Sequence, residues 1–255
     1  MKAAIIGSGN VGKALGTSAL RGGHEVYLTA SNPDHAAEAA QRIGAKAAVS
    51  NAEAASAADI VILAVSAAVV AAIVSELGAL LEGKTVVDVT NRVDPGDPGS
   101  VLDGDSVTEQ LEVLVPRANF IKAFNTNFAT VMANPTIDGE PADAFIAGDD
   151  PDAKAVVAEL AKSMGFRSLD VGPGAIARVL EGLGLVNVLL QISNGWPWQT
   201  AWKMAGPTGG ACTVLEAGRF RDLSQTQKQR GVVHRESDPT HYAPAGTSTR
   251  GQFAK

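Results

Sequence analysis

The sequence predicts an α/β protein built on a doubly wound, Rossmann-type parallel sheet, with a small C-terminal α/β appendage and an irregular tail. Three observations support this fold class. Short apolar segments alternate with helical segments along most of the chain. Hydrophobic residues make up 45% of the 255 residues but aromatic residues only 5%, a composition typical of strands covered by helices rather than of an all-β sandwich. A glycine-rich turn also separates the first strand from the first helix.

Residues 1–135 are predicted to form a dinucleotide-binding domain in which six strands alternate with helices. Two helix starts are indicated by residues that commonly cap helices, namely Ser31 or Asn32 before one helix and Ser66 before another. The predicted strands cover residues 3–6, 26–28, 47–49, 60–65, 85–90 and 120–124, and the predicted helices cover residues 11–20, 33–42, 66–81 and 107–114.

Residues 136–205 are predicted to form a smaller α/β and helical part. Two strands, at residues 143–147 and 167–171, flank a helix at residues 150–164, and a last helix covers residues 175–192. Strands and helices that alternate at this spacing are typical of βαβ units and therefore of parallel pairing.

Residues 206–255 are predicted to form an irregular or disordered tail. They are rich in Gly, Ser, Thr, Gln, Arg and Pro, and no apolar period persists. Seven Lys or Arg residues stand against four Asp or Glu residues, but these charges are scattered and aromatic residues are not regularly interleaved with them. A disordered extension is therefore favoured over an arm that binds RNA or a membrane.

Charge, cysteine content and hydropathy exclude several classes of protein. The formal net charge of −6 argues against a nucleic-acid partner. Cys212 is the only cysteine, so no intrachain disulfide can form, and no Cys/His cluster suggests a metal site. The apolar runs fall short of the roughly 18 uninterrupted residues that cross a membrane, and the N-terminal run is too short for a secretion signal. We expect a cytoplasmic protein without metal or membrane partner.

The glycine-rich turn has the pattern G-x-G-x-x-G, formed by Gly7, Gly9 and Gly12 with Ser8, Asn10 and Val11 between them. Because it follows a strand and begins a helix, it predicts a site for the diphosphate of a dinucleotide at the helix N-terminus. An ordinary strand-to-helix turn is the alternative.

The end of the second strand favours NADP over NAD. An NAD site usually has Asp or Glu at this position, whereas here Thr29, Ser31 and Asn32 offer neutral hydrogen-bonding groups suited to a phosphate. Ser31 and Asn32 are equally suited to cap the next helix, and both roles are compatible.

Polar residues follow three further strands at the edge of the sheet where the nicotinamide of a dinucleotide is expected. They are Ser66 next to Val65, Asn91, and Asn125 after Ala123 and Phe124. Ordinary loop capping explains any one of them equally well.

Four segments together resemble a known family. They are the turn at residues 7–12, Lys-Ala-Phe-Asn-Thr at residues 122–126, Gly-Asp-Asp at residues 148–150 and Leu-Asp-Val-Gly-Pro at residues 169–173. In this order they resemble NADP-dependent oxidoreductases that use a deazaflavin, coenzyme F420. The same fold is similar to the cytoplasmic domain of metal-reducing membrane ferric reductases.

The resemblance implies transfer of hydride between NADPH and the deazaflavin as co-substrate. It implies that Gly9, Asn10 and Val11 bind the diphosphate and that Thr29, Ser31 and Asn32 surround the 2′-phosphate. It further implies that the nicotinamide is bordered by Ser66, Asn91, Ala123, Phe124 and Asn125. The arginine that this family often has near Asn32 is absent.

No catalytic side chain is predicted, because hydride transfer between two stacked rings requires no proton exchange with a side chain. Lys122 is a conceivable proton donor, but we expect it to pair with an anionic cofactor group or to extend to the surface. Trp196, Trp198 and Trp202 are suited to stack on a deazaflavin, to seal a homodimer interface or to pack the chain end against the core, the last two being favoured.

Two other functions remain open. The first is an NADPH-dependent reductase of another small-molecule redox acceptor, such as a flavin, an imine or a ferric chelate. The second is a non-catalytic module that senses NADP, which would also lack an obligatory catalytic side chain.

Overall fold

A computed structural model describes residues 1–206, apart from the side chain of Leu102. The strands are β1 Lys2–Ile6, β2 Glu25–Thr29, β3 Lys46–Ala47, β4 Ile60–Leu63, β5 Thr85–Asp88, β6 Asn119–Ala123, β7 Thr136–Ile137, β8 Glu140–Pro141, β9 Asp143–Ala147 and β10 Arg167–Gly172. The α-helices are α1 Asn10–Arg21, α2 Pro33–Ile43, α3 Asn51–Ala57, α4 Ala67–Leu77, α5 Val107–Leu114, α6 Ala129–Ala133, α7 Pro151–Met164 and α8 Ala177–Asn194. From residue 207 on, the predicted tail lies outside the described residues.

Eight strands form one sheet in the order β10-β9-β6-β5-β4-β1-β2-β3. All neighbours pair in parallel except β6 and β9, which are antiparallel. The order reverses direction between β1 and β4, so the strand ends there diverge and leave a crevice suited to a ligand. The predicted Rossmann-type α/β fold is confirmed.

The last two strands extend this sheet. β9 pairs with β6, and β10 pairs with β9. The boundary predicted near residue 135 therefore falls between strands of one sheet, and the division into two functional parts stays a prediction.

Helices cover both faces of the sheet, and the strands are apolar on both sides as a result. In β4, Ile60 and Ile62 join the core beneath α1, while Val61 and Leu63 join the core beneath α4. A strand buried on both faces cannot alternate polar and apolar residues, which is why its sequence is a continuous apolar run.

Several elements differ from the sequence prediction. The helix expected to reach residue 81 ends at Leu77, because Gly78 leaves the helical conformation with φ of 43° and a 3-10 turn follows. Three short elements had not been predicted at all: α3, α6 and the β7–β8 hairpin. By contrast, α2 begins as predicted and ends one residue later than predicted, at Ile43, with Asn32 as its cap and Gly44 in the left-handed conformation after it.

Candidate functional site

The turn between β1 and α1 requires glycine at two positions and leaves the third open. A Cβ at Gly7 would lie 2.4 Å from the Ala64 carbonyl oxygen, and a Cβ at Gly12 would lie 1.8 Å from the Gly7 carbonyl oxygen. At Gly9 a Cβ would meet no atom within 4 Å. Gly9 is also the N-cap of α1 and supplies no side-chain cap, so the first N–H groups of α1 face open space suited to an anion.

A cleft of about 920 Å³ runs from this turn along the ends of the neighbouring strands. Its volume lies in the range of small-molecule sites. Of the residues predicted for the site, those that line the cleft are Gly7, Ser8, Gly9, Asn10, Val11, Thr29, Ser31, Val65, Ser66 and Asn91. Gly12 lies buried behind the turn.

The cleft also includes residues that the sequence analysis missed. His35 extends from the first turn of α2, and Asn51 from the start of the unpredicted α3. Val69 and Ile73 add apolar surface from α4, which suits a flat aromatic ring. The exposed position of Val69, at 45%, was not visible without the fold.

Two of the three residues predicted around a 2′-phosphate already have hydrogen-bond partners in the protein. The Thr29 hydroxyl donates to Asn51 Oδ1 at 2.7 Å. Asn32 accepts a hydrogen bond from the Asp34 N–H at 2.9 Å and so caps α2. Ser31 remains exposed at the cleft, and no carboxylate stands at the end of β2.

At the other end of the cleft, two asparagine side chains hold each other. Asn91 Nδ2 donates to the Asn125 carbonyl oxygen, and Asn125 Nδ2 donates to Asn91 Oδ1, both at 2.8 Å. Asn125 also donates to the Leu180 carbonyl oxygen in α8. A Cβ at Gly184 would lie 3.1 Å from Asn91 Oδ1. The sheet edge and α8 therefore fix Asn91 where it faces the cleft.

The other residues predicted at the nicotinamide end are divided between surface and core. Ser66 lines the cleft as the N-cap residue of α4, but its side chain makes no capping hydrogen bond. Ala123 and Phe124 are fully buried, and the Phe124 ring packs against Phe166 with centroids 5.4 Å apart. The structure does not bring these two side chains to the cleft surface.

Lys122 corrects the sequence prediction. It neither reaches the surface nor faces the cleft, because it is fully buried and its Nζ donates three hydrogen bonds within the protein. The acceptors are Asp88 at 2.9 Å, Glu181 at 3.0 Å and the Thr90 carbonyl oxygen at 2.6 Å. These contacts satisfy all three N–H groups of the ammonium, so Lys122 holds β5, β6 and α8 together beside the cleft.

The three tryptophans do not share one environment. Trp202 is partly buried, packs against the cluster of Phe145 and Leu180, and donates from its indole N–H to the Leu183 carbonyl oxygen. Trp198 meets Phe128 edge to face, but it is 44% exposed and Trp196 is 41% exposed. Of the three tryptophans, only Trp202 therefore packs against the core in the way predicted for the chain end.

Comparison with known proteins shows a similarity to one family. The family described as "NADP oxidoreductase coenzyme F420-dependent" matches residues 2–92. An F420-dependent NADP reductase of Methanothermobacter marburgensis is 28% identical over 211 residues, covering 76% of this chain and 94% of that protein. The crystal structure of a protein described as an F420-dependent NADP reductase, from Arthrobacter sp. FB24, aligns with a TM-score of 0.70 at 28% identity, covering 81% of this chain and 100% of that chain. These matches support this family for the chain.

The chain also resembles a protein named as a metalloreductase. The metalloreductase STEAP3 of Rattus norvegicus is 32% identical over 188 residues, which cover 72% of this chain. The chain spans about a third of that protein, since the match covers 36% of its length.

Proposed function

We propose that this NADP oxidoreductase transfers hydride between NADPH and a deazaflavin coenzyme of the F420 type, in the cytoplasm. The observation that carries the proposal is the cleft itself. One end is the open glycine turn at the start of α1, and the other end carries the neutral polar side chains of Ser66, Thr90 and Asn91.

The residues of the turn fit the diphosphate of NADP. The open space at Gly9 admits a phosphate against the backbone, and the N–H groups of Asn10 and Val11 begin α1 at its positive end. Ser31 and His35 line the cleft beyond β2, where the absence of a carboxylate in the described strand end admits a 2′-phosphate.

At the other end, the side chains of Ser66, Thr90 and Asn91 that line the cleft are uncharged and suited to orient rings. The nicotinamide, when bound, provides the hydride. Ser66 and Asn91 offer hydrogen bonds to a carboxamide or to a ring carbonyl, and Asn91 is held in place by Asn125. A deazaflavin accepts the hydride at a ring carbon and its accompanying proton from water, so neutral orienting groups suffice.

A ferric chelate is the second candidate acceptor, favoured by the 32% identity to the metalloreductase over 72% of the chain. Both acceptors use the same NADPH site. The distinction therefore depends on the second substrate alone.

NADPH oxidation with a panel of acceptors tests the proposal. We expect the purified protein to oxidise NADPH with the oxidised deazaflavin and to be much slower with FMN or a ferric chelate. The Gly9→Val variant should lose this activity and bind NADPH at least about tenfold more weakly, yet melt at nearly the same temperature because a Cβ at this position meets no protein atom within 4 Å. Activity with the ferric chelate alone would assign the second function, and no oxidation with any acceptor would support the NADP-sensing module.

A further inference from the structure

Helix α4 turns one side toward the cleft, and that side ends in a carboxylate. Val69, Ile73 and Glu76 follow one another at intervals of four and three residues and therefore lie on one side of the helix. All three line the cleft. Among the residues that the structure describes, Glu76 is the only acidic one in this lining.

The local structure of α4 does not account for Glu76. It is the only charged residue of the helix, and it lies in the last turn, where the helix dipole disfavours a negative charge. Its carboxylate is exposed and has neither an ion pair nor a hydrogen bond within residues 1–206. The phosphates of a bound dinucleotide would add further negative charge to the cleft, so a carboxylate there is unfavourable unless the ligand gives it a hydrogen-bond donor.

The part of the cleft beside β2 is the part that suits an adenosine. In a Rossmann-type site the ribose that carries the adenine lies at the end of the second strand, and here Thr29, Ala30 and Ser31 line the cleft together with Asn51. The Thr29 hydroxyl donates to Asn51 Oδ1. Asn51 Nδ2 has no partner in the described part of the chain, so its N–H groups are available to a ring nitrogen or a ribose oxygen.

The cleft leaves room for a nucleoside between the glycine turn and Glu76. Gly7 lies close against Ala64 and Val65, just before α4 begins. Glu76 lies ten residues beyond Ser66, which is about 15 Å along a helix. The helix that begins with Asn51 contacts α4 on the same face of the sheet. A base attached to a diphosphate at the turn would therefore extend along α4 toward Glu76.

We propose that Glu76 recognises the base of NADP by accepting a hydrogen bond from the 6-amino group of adenine. This inference rests on the NADP site proposed above. The flat faces of adenine suit Val69 and Ile73, and its 6-amino group only donates hydrogen bonds, whereas a carboxylate only accepts them. The 6-oxo group of hypoxanthine or guanine also only accepts. The same carboxylate therefore repels these bases, and the cleft selects a 6-aminopurine.

A carboxylate that merely adds negative charge at the edge of the cleft is the alternative. Removing such a charge would tighten the binding of NADPH and of a 6-oxo analogue by the same factor, because their phosphates are identical. If Glu76 accepts the amino group, its removal changes the ratio of the two affinities. The ratio therefore separates recognition of the base from a general charge effect.

Calorimetric titration of the full chain with NADPH and with its hypoxanthine analogue tests the proposal. We expect the parent protein to bind NADPH at least about tenfold more tightly than the analogue, the scale of one hydrogen bond to a charged group. In Glu76→Gln this preference should fall to about threefold or less, because an amide can turn to donate to the 6-oxo group. Equal affinities in the parent, or a preference unchanged in Glu76→Gln, would overturn the assignment of Glu76.

Glu159→Gln is the matched control. Glu159 is also an exposed carboxylate on a helix, but it lies on α7 and does not line the cleft, so its substitution should change neither affinity. Glu76→Ala is a second variant that should lower the preference to the same extent, and circular dichroism checks the folding of each. A parent protein that binds no NADPH would overturn the proposed NADP site itself, whereas equal binding of both dinucleotides would overturn the base assignment alone.

Discussion

We expect single residues at the end of β2 to determine which dinucleotide the cleft admits. Asn32 caps α2, and Thr29 is bonded to Asn51, so neither side chain is free to turn fully toward a ligand. Ser31 is exposed and is the position nearest to where NAD-specific sites carry an acidic residue. We therefore expect the choice of cofactor to rest on Ser31 and on His35, which both line the cleft.

We predict that Ser31→Asp reverses the cofactor preference. The parent protein should bind NADPH at least about tenfold more tightly than NADH, whereas the new carboxylate should repel the 2′-phosphate and accept hydrogen bonds from the ribose of NADH. Calorimetric titration with both dinucleotides measures this, and Ser31→Asn is the neutral control. Unchanged NADPH affinity in Ser31→Asp would place the 2′-phosphate elsewhere.

A second single-residue prediction concerns Glu112 on α5. Partial burial, together with the charges of Asp149 and Glu109, raises the pKa of Glu112 to about 7. Because the folded pKa lies above the unfolded value, the contribution of this carboxyl to stability is greatest below the unfolded pKa and falls as pH rises toward 7.

Glu112→Gln should therefore stabilise the protein at pH 8 by about 1 kcal/mol, after allowance for solvent exposure, and should change little at pH 5. Urea unfolding at the two pH values gives the comparison. Equal effects at both pH values would show that the ionised carboxylate is not the cause.

At the scale of elements, the buried contacts of Lys122 join parts that are distant in the sequence. Lys122 in β6 meets Asp88 in β5, and Glu181 in α8 comes from 59 residues farther along the chain. The position of Lys122 in an apolar strand indicated that its backbone is buried, but it did not identify Asp88 and Glu181 as the partners of its ammonium group. The strands themselves were predictable from local pattern, whereas this pairing depends on how α8 crosses the sheet.

Lys122→Met should destabilise the fold by about 3–5 kcal/mol, because it leaves two buried carboxylates without their cation. Adding Glu181→Gln should recover at least about 1 kcal/mol. Lys162→Met is the matched control, since its pairing with Glu159 is exposed and should be worth less than about 1 kcal/mol. Equilibrium unfolding in urea measures all three. Equal losses for Lys122→Met and Lys162→Met would contradict a structural role for the buried cluster.

The missed helix α3 shows which local signal was available. Ser50 accepts a hydrogen bond from the Glu53 N–H, and the Glu53 carboxylate accepts from the Val49 N–H. Ser followed three residues later by Glu is a helix-start pattern, but the alanine-rich segment after it has no apolar period. For this reason the sequence did not predict that Asn51 lines the cleft.

At the scale of the whole molecule, the glycine turn and the strand ends were predictable because a parallel sheet places both at one edge. The burial of Ala123 and Phe124 was not predictable, since a side chain at the end of a strand points either into the cleft or into the core. Phe124 is buried in the core, and its backbone has a positive φ of 63°. The next residue, Asn125, donates a hydrogen bond to Asn91. The family match then supports NADP as the dinucleotide and leaves the acceptor to be proposed.

A single-turnover reaction tests the proposed hydride transfer most directly. NADPH deuterated at the transferring position of its nicotinamide is mixed with the protein and the oxidised deazaflavin, and the reduced coenzyme is analysed by mass spectrometry. We predict that the visible absorbance of the deazaflavin is lost and that its reduced form carries the deuterium. Reduction without the label, or no reduction by protein that binds NADPH, would contradict direct transfer in this cleft.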